Sequence, residues 1–218
     1  ITKTAGTTVQ LALSRWLPDD NTLLGIRSEE LSSYSFYLNT PTDLHSYEIV
    51  SSHLGERVRR FYFPNHFAVV LLREPVSRYK SLLHYAARLG NTGIINDLRM
   101  LLPDVGHFMA RPETRTLLMA HSMTNNIYPD WMTSTSSSVS QSVFDPYSMV
   151  LTPRGLAKGL SVLLSLYGRA PIDALSRHNS KPVEQKAIIF PENFEHILRE
   201  MIPEEFQIYE MALQREEM

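Results

Sequence analysis

"HFAVVLLREPVSRYKSLLHY" (residues 66–85) changes from one periodicity to another at its centre. Residues 66–74 form a continuous apolar run of strand length, which fits a strand buried on both faces. Pro75 then stands where the first turn of a helix accepts it. Val76, Tyr79, Leu82, Leu83 and Ala86 continue a helical pattern to about Arg88. A strand that feeds directly into a helix is the building unit of an α/β sheet, and the flanking sequence repeats the theme. Upstream, Val9, Ala12, Leu13 and Trp16 follow helical spacing and the pattern stops before Pro18. Residues 1 and 2 read as the end of a strand whose earlier part lies before Ile1. Short strand-like pieces occupy 23–38, and "YEIVSSHLG" (47–55) reads as a strand running out into a loop.

Downstream, residues 94–102 and 113–121 read as helical. "TSTSSSVSQS" (133–142) is of low complexity and reads as an exposed, flexible loop. "YSMVLTP" (147–153) is strand-like, and Leu156, Leu160, Leu163, Leu164 and Tyr167 mark the helix after it. Residues 191–217 read as two further helices. Strands alternating with helices predict an α/β domain spanning 1–218, with a mainly parallel central sheet flanked by helices. There is no internal repeat.

Composition narrows the function classes. The 218 residues are 43% hydrophobic and 20% charged, ordinary values for a globular chain with one core. A net charge of −2 offers no global attraction to nucleic acid or an anionic membrane, so any anion site is local. No run of about 18 apolar residues is present to span a bilayer. The chain has no cysteine, which removes disulfides, thiolate metal sites and cysteine nucleophiles, and points to the cytoplasm. Eight histidines are present, but none forms a His-x-x-x-His or Glu-x-x-His cluster, so no metal site is expected.

Two stretches carry chemistry. In "KTAGTT" (residues 3–8), Gly6 permits a tight strand-to-helix turn, and the helix that follows presents unpaired N–H groups to an anion. Thr4, Thr7 and Thr8 add hydroxyl donors, and Lys3 adds a flexible positive charge. The stretch is not a Walker A loop, which ends in Gly-Lys-Ser/Thr. A structural turn with a solvated lysine is the alternative. In the second stretch, Arg73 stands at the exit of the buried strand and Ser81 follows eight residues later on the helix. In doubly wound sheets ligands gather at the carboxyl ends of strands, where both Lys3 and Arg73 emerge. An arginine fork and a serine hydroxyl suit a phosphate. The alternative for Arg73 is an ion pair with Glu74 or another acid.

The pair "KTAGTT" and "LREPVSRYKSLLHY" resembles the two nucleotide-binding signatures of sulfotransferases that use 3′-phosphoadenosine 5′-phosphosulfate (PAPS). The likeness is closest to the carbohydrate branch, which includes the heparan sulfate 2-O- and 6-O-sulfotransferases and their bacterial relatives. It implies a P-loop-like three-layer fold. By that resemblance Lys3 contacts the leaving group and Thr4, Ala5, Gly6, Thr7 and Thr8 hold the 5′-phosphosulfate. Arg73 and Ser81 hold the 3′-phosphate, with the family's eight-residue spacing. His53, in "VSSHLG", matches a histidine found after a strand and is the expected general base. "ETRTLL" and "VLTPRGLAKGLSVLL" resemble further family stretches more loosely.

Three departures stand out: Thr2 replaces the common proline, Ser52 the usual glycine before the histidine, and Glu74 the frequent aspartate. Lys181 in "RHNSKP" is a candidate phosphate ligand from a closing loop, against a polar surface turn. Arg115 is a candidate contact to an acidic acceptor, against a helix-surface salt bridge. His66 and His84 read as structural.

The expected activity is sulfuryl transfer from PAPS to a hydroxyl, on a carbohydrate, without a metal and with PAP (3′,5′-adenosine bisphosphate) as product. Two rivals remain: a P-loop nucleotide phosphotransferase using Mg²⁺, and a non-catalytic nucleotide-binding homologue.

Overall fold

A computed structural model describes Val9, Ala12, Leu13, residues 22–26, 49–52, 65–88, Tyr128, Met132, and residues 139–171 and 190–217. Four strands lie within them: β1 (Thr22–Ile26), β2 (Ile49–Ser52), β3 (Val69–Leu71) and β4 (Met149–Leu151). The helices are α1 (Pro75–Arg88), α2 (Leu156–Leu166), α3 (Phe194–Met201) and α4 (Pro203–Glu217), with a 3₁₀ turn at Gln141–Phe144. The fold is mixed α/β with parallel pairing. The described strands form two parallel pairs, β1 with β2 and β3 with β4.

The β3–β4 pair runs in simple register, Val69 opposite Met149, Val70 opposite Val150 and Leu71 opposite Leu151. Two further hydrogen bonds extend the ladder: the Met149 N–H donates to Ala68 O (3.1 Å) and the Leu72 N–H to Leu151 O (2.8 Å). Because side chains alternate across a strand, this register sorts the apolar residues onto two faces. On one face Ala68, Val70, Leu72 and Val150 pack with Tyr128, Phe144 and Tyr147, and with Ile208, Tyr209 and Ala212 of α4. On the other, Leu71, Met149 and Leu151 pack with Leu156, Leu160, Leu163 and Leu164 of α2, and with Val9, Ala12 and Leu13. The pair is thus a layer between helical layers.

Cover along β3 is uneven. Both faces of β3 meet apolar clusters, Val70 on the α4 side and Leu71 on the α2 side, but Val69 is 39% exposed and Phe67, just before the strand, 51%. The apolar run predicted burial, and the exposure is confined to its start, ahead of the part of the strand that α2 covers. The strand is also shorter than residues 66–74, because its ladder closes at Leu72.

Helix α1 spans the predicted residues, but a charge lies on its buried face. Arg78, Tyr79, Leu82 and Leu83 are buried, whereas Val76 is half-buried. Arg78 is fully enclosed and its Nη2 donates to Glu205 Oε2 of α4 at 2.6 Å, with Glu205 equally enclosed. In α3, Phe194, Ile197, Leu198 and Met201 fall at i, i+3, i+4, i+7 and are all buried. Phe194 meets Tyr79 of α1 edge-on, ring centroids 6.3 Å apart.

Tyr167 departs from the expected core stripe of α2. It is the C-cap and is 38% exposed. The helix ends there because Gly168 takes φ +65°, letting its N–H donate to Ser165 O and the Arg169 N–H to Leu164 O. Residues 191–217 give two helices as expected, separated at Ile202, with Pro203 opening the second. Of the low-complexity stretch, Ser140 to Ser142 are exposed, yet Gln141 and Ser142 belong to the 3₁₀ turn. Trp16 and the helical readings at 94–102 and 113–121 lie outside the described residues. Among the described residues no helix is long and apolar enough to cross a membrane.

Candidate functional site

The carboxyl ends of β3 and β4 bring polar groups together beside α1. Arg73 lies two residues beyond β3 and is half-buried. Its peptide groups fall between the last ladder bond, at Leu72, and the first turn of α1, so neither element supplies their partners. Tyr128 does: the Arg73 N–H donates to Tyr128 Oη at 2.8 Å, and the Tyr128 hydroxyl donates to Arg73 O. Tyr128 is fully buried, and burial holds its phenol well above the usual tyrosine range.

Glu74 closes the start of α1. Its carboxylate accepts from the Val76 N–H (2.8 Å, Oε1) and the Ser77 N–H (2.6 Å, Oε2). The Arg78 N–H completes the turn on Glu74 O at 2.9 Å. These are the orphan donors that a helix N-terminus offers an anion. With Glu74 on them, an anion beside α1 is left to side-chain donors.

The half-buried stripe of α1 supplies such donors. Ser77, Lys80, Ser81 and His84 stand at i, i+3, i+4, i+7, opposite the Arg78–Leu82 face. Ser81 sits roughly 9 Å along the helix from Pro75, at 1.5 Å per residue. Lys80 leans toward α3: its Nζ is 5.1 Å from the Phe190 ring centre and 5.7 Å from that of Phe194. His84 meets Phe190 edge-on at 5.7 Å, and its buried Nδ1 has no hydrogen-bond partner among the described residues. That contact fits the structural role expected of His84. His66 lies in an exposed bend ahead of β3.

At the exit of β4 a second carboxylate, half-buried, is bound by the chain. Thr152, fully buried, donates to Glu216 through its N–H (2.5 Å, Oε1) and its hydroxyl (2.7 Å, Oε2). Gly155 leaves room for this: a Cβ at that position would come within 2.6 Å of Glu216 Oε1. The two strand exits converge electrostatically on Tyr209. Burial first, then the negative charge of Glu74, push its phenol up; Arg154 opposes them and Glu216 adds to them.

Of the sequence candidates, Arg73 and Ser81 are among the described residues, Arg73 just beyond β3 and Ser81 on α1. Lys3, Thr4, Ala5, Gly6, Thr7, Thr8, His53, Arg115 and Lys181 lie outside the described residues. β2 ends at Ser52, so His53 is the residue that follows it in the chain. Val9, next after Thr8, is helical and packs with Leu13 against the α2 side of the β3–β4 layer.

Sequence reading missed Tyr128, Thr152, Glu216 and the Arg78–Glu205 pair. Arg78 carries a signal, since it stands four residues before Leu82 on an apolar helix face. The others carry none, because each is defined by a partner more than fifty residues away. Compared with family models, curated proteins and solved structures, the chain matches none of them.

Proposed function

We propose that the chain is a PAPS-dependent O-sulfotransferase of P-loop-like fold that acts on a carbohydrate hydroxyl in the cytoplasm. One observation supports it most: an arginine with a pinned backbone leaves a parallel strand beside a helix that carries Ser81. An arginine fork and a nearby hydroxyl suit a terminal phosphate, and strand carboxyl ends are where such ligands bind. The capping of α1 by Glu74 agrees with this reading, because it leaves side chains to do the binding.

In this reading Arg73 and Ser81 hold the 3′-phosphate, while Lys3 and the residues from Thr4 to Thr8 hold the 5′-phosphosulfate. His53 takes the acceptor proton as the acceptor oxygen attacks sulfur. The bond from sulfur to the 5′-phosphate oxygen breaks, and PAP leaves. Lys3 and the loop N–H groups offset the charge that develops on the leaving phosphate. Catalysis is then in-line positioning plus charge stabilisation, as in phosphoryl transfer. Lys181 closes over the nucleotide and Arg115 meets an acidic acceptor. Neither step calls for a metal.

Calorimetry with PAP against ATP plus Mg²⁺ tests the donor. Tight binding of PAP supports the reading, and preference for ATP with Mg²⁺ favours a phosphotransferase. Arg73→Ala should cost about 1.5–3 kcal/mol of PAP affinity and little for 5′-AMP, which lacks the 3′-phosphate. Sulfate transfer from labelled PAPS should persist in EDTA. Transfer to phenols or steroids alone would keep the enzyme class and remove the sugar. His53→Ala should lower kcat by roughly 10²–10⁴-fold with PAP affinity kept; near-normal turnover would move the base elsewhere.

A further inference from the structure

We infer that Tyr128 is a positioning residue for Arg73, fixing the arginine's backbone so that its guanidinium is presented to the 3′-phosphate. The inference rests on the nucleotide site proposed above and adds to it a residue with no sequence motif. Three observations carry it.

The Tyr128 hydroxyl engages both peptide groups of Arg73, accepting from its N–H and donating to its carbonyl. A bond to one group would fix a peptide plane on one side of Cα; bonds to both restrict the two dihedrals that aim the side chain. The contact also falls where the chain needs it. Ladder bonding ends at Leu72 and the helical bonds of α1 begin with the Arg78 N–H on Glu74 O, so Arg73 lies between two sets of constraints.

Tyr128 is itself held from behind. Its ring packs in the cluster of Ala68, Val70 and Leu72, and the Arg78 guanidinium carbon lies 5.5 Å from its centre. Arg78 is in turn held by Glu205. The line Glu205–Arg78–Tyr128–Arg73 therefore connects α4 to the strand exit through enclosed side chains. An arginine whose backbone is fixed beforehand loses less freedom on gripping a phosphate, which is how support around a binding group raises affinity.

The test compares the ratio of Kd for 5′-AMP to Kd for PAP in wild type, Arg73→Ala and Tyr128→Phe, with a thermal midpoint for each. Tyr128→Phe keeps the ring and removes the hydroxyl. It should lower the ratio by about five- to tenfold, the worth of one good hydrogen bond, with 5′-AMP binding almost unchanged. A purely structural tyrosine would lower the midpoint and leave the ratio alone. If Arg73→Ala collapses the ratio while Tyr128→Phe does not, the positioning role is overturned and the nucleotide site stands. If neither variant alters the ratio, the 3′-phosphate assignment fails and the positioning role with it. Should Tyr128→Phe not fold, 4-aminophenylalanine at position 128 carries the same comparison. Its amino group still donates to the Arg73 carbonyl but accepts poorly, and an unchanged ratio overturns the proposal there too.

Discussion

Removing the carboxylate from position 205 is the sharpest perturbation of this fold. Arg78 and Glu205 are both fully enclosed, and a 2.6 Å charged hydrogen bond joins them. Among the described residues the guanidinium Nε and Nη1 have no hydrogen-bond partner, so Arg78 depends there on Glu205 and on the rings of Tyr79 and Tyr128, 5.8 and 5.5 Å away. Glu205→Leu would leave a buried cation uncompensated, which costs about 3–5 kcal/mol. For a chain of this size each kcal/mol is worth about 2–4 °C, so the thermal midpoint should fall by about 6–20 °C. The double variant Arg78→Met with Glu205→Leu removes both charges at similar volume. Desolvating an ion pair is itself expensive, so the double variant should lie within about 1 kcal/mol of wild type or above it. Urea unfolding followed by circular dichroism measures all three proteins. If Glu205→Leu costs less than about 1 kcal/mol, Arg78 reaches water and the pair is not enclosed. If the double variant is as damaged as the single one, the loss lies in packing, and the stranded-charge reasoning fails.

Two further outcomes follow from neighbouring contacts. Gly159 of α2 faces Leu151 so closely that a Cβ would lie 2.2 Å from Leu151 Cδ2, and Leu151 is buried. Gly159→Ala should therefore destabilise by about 1–2 kcal/mol, despite the roughly 1 kcal/mol that alanine gains in a helix; a more stable variant in urea would refute this. Tyr128 and Tyr209 have phenols raised above the ordinary value near 10, first by burial in both cases. The folded state then keeps protons that the unfolded chain releases, so this stability is full below about pH 10 and is lost as pH rises through the folded values. Alkaline denaturation should be steeper in wild type than in Tyr128→Phe with Tyr209→Phe, and equal slopes would show that neither phenol is shifted.

Local pattern was enough for the elements. Pro75 and the spacing of Tyr79, Leu82 and Leu83 marked α1 at its observed bounds, and Leu156 to Leu164 marked α2, because caps and periodicity are properties of adjacent residues. The two C-terminal helices and the short strands near Ile49, Val70 and Val150 were legible for the same reason. Burial was less so. An apolar run shows that a segment can be covered, and only the β3–β4 register shows which helix covers each face, Val70 packing on the α4 side and Leu71 on the α2 side.

The candidate site divides along the same line. The sequence by itself determined that an arginine follows a strand closely and that a serine stands on the next helix, since both facts are fixed by spacing along one segment. Tertiary structure alone decided what holds that arginine. Tyr128 is 55 residues away, Glu205 is 127 residues from Arg78, and Glu216 is 64 from Thr152. Contacts over such separations depend on how the chain folds back on itself, and nothing local to either partner encodes them. Glu74 shows both sides at once: its place before Pro75 was visible as a residue type, but only the fold shows its two bonds to the α1 amides, which make it a cap. The physical reason is that a side chain chooses among the donors within reach, and the fold decides which donors those are.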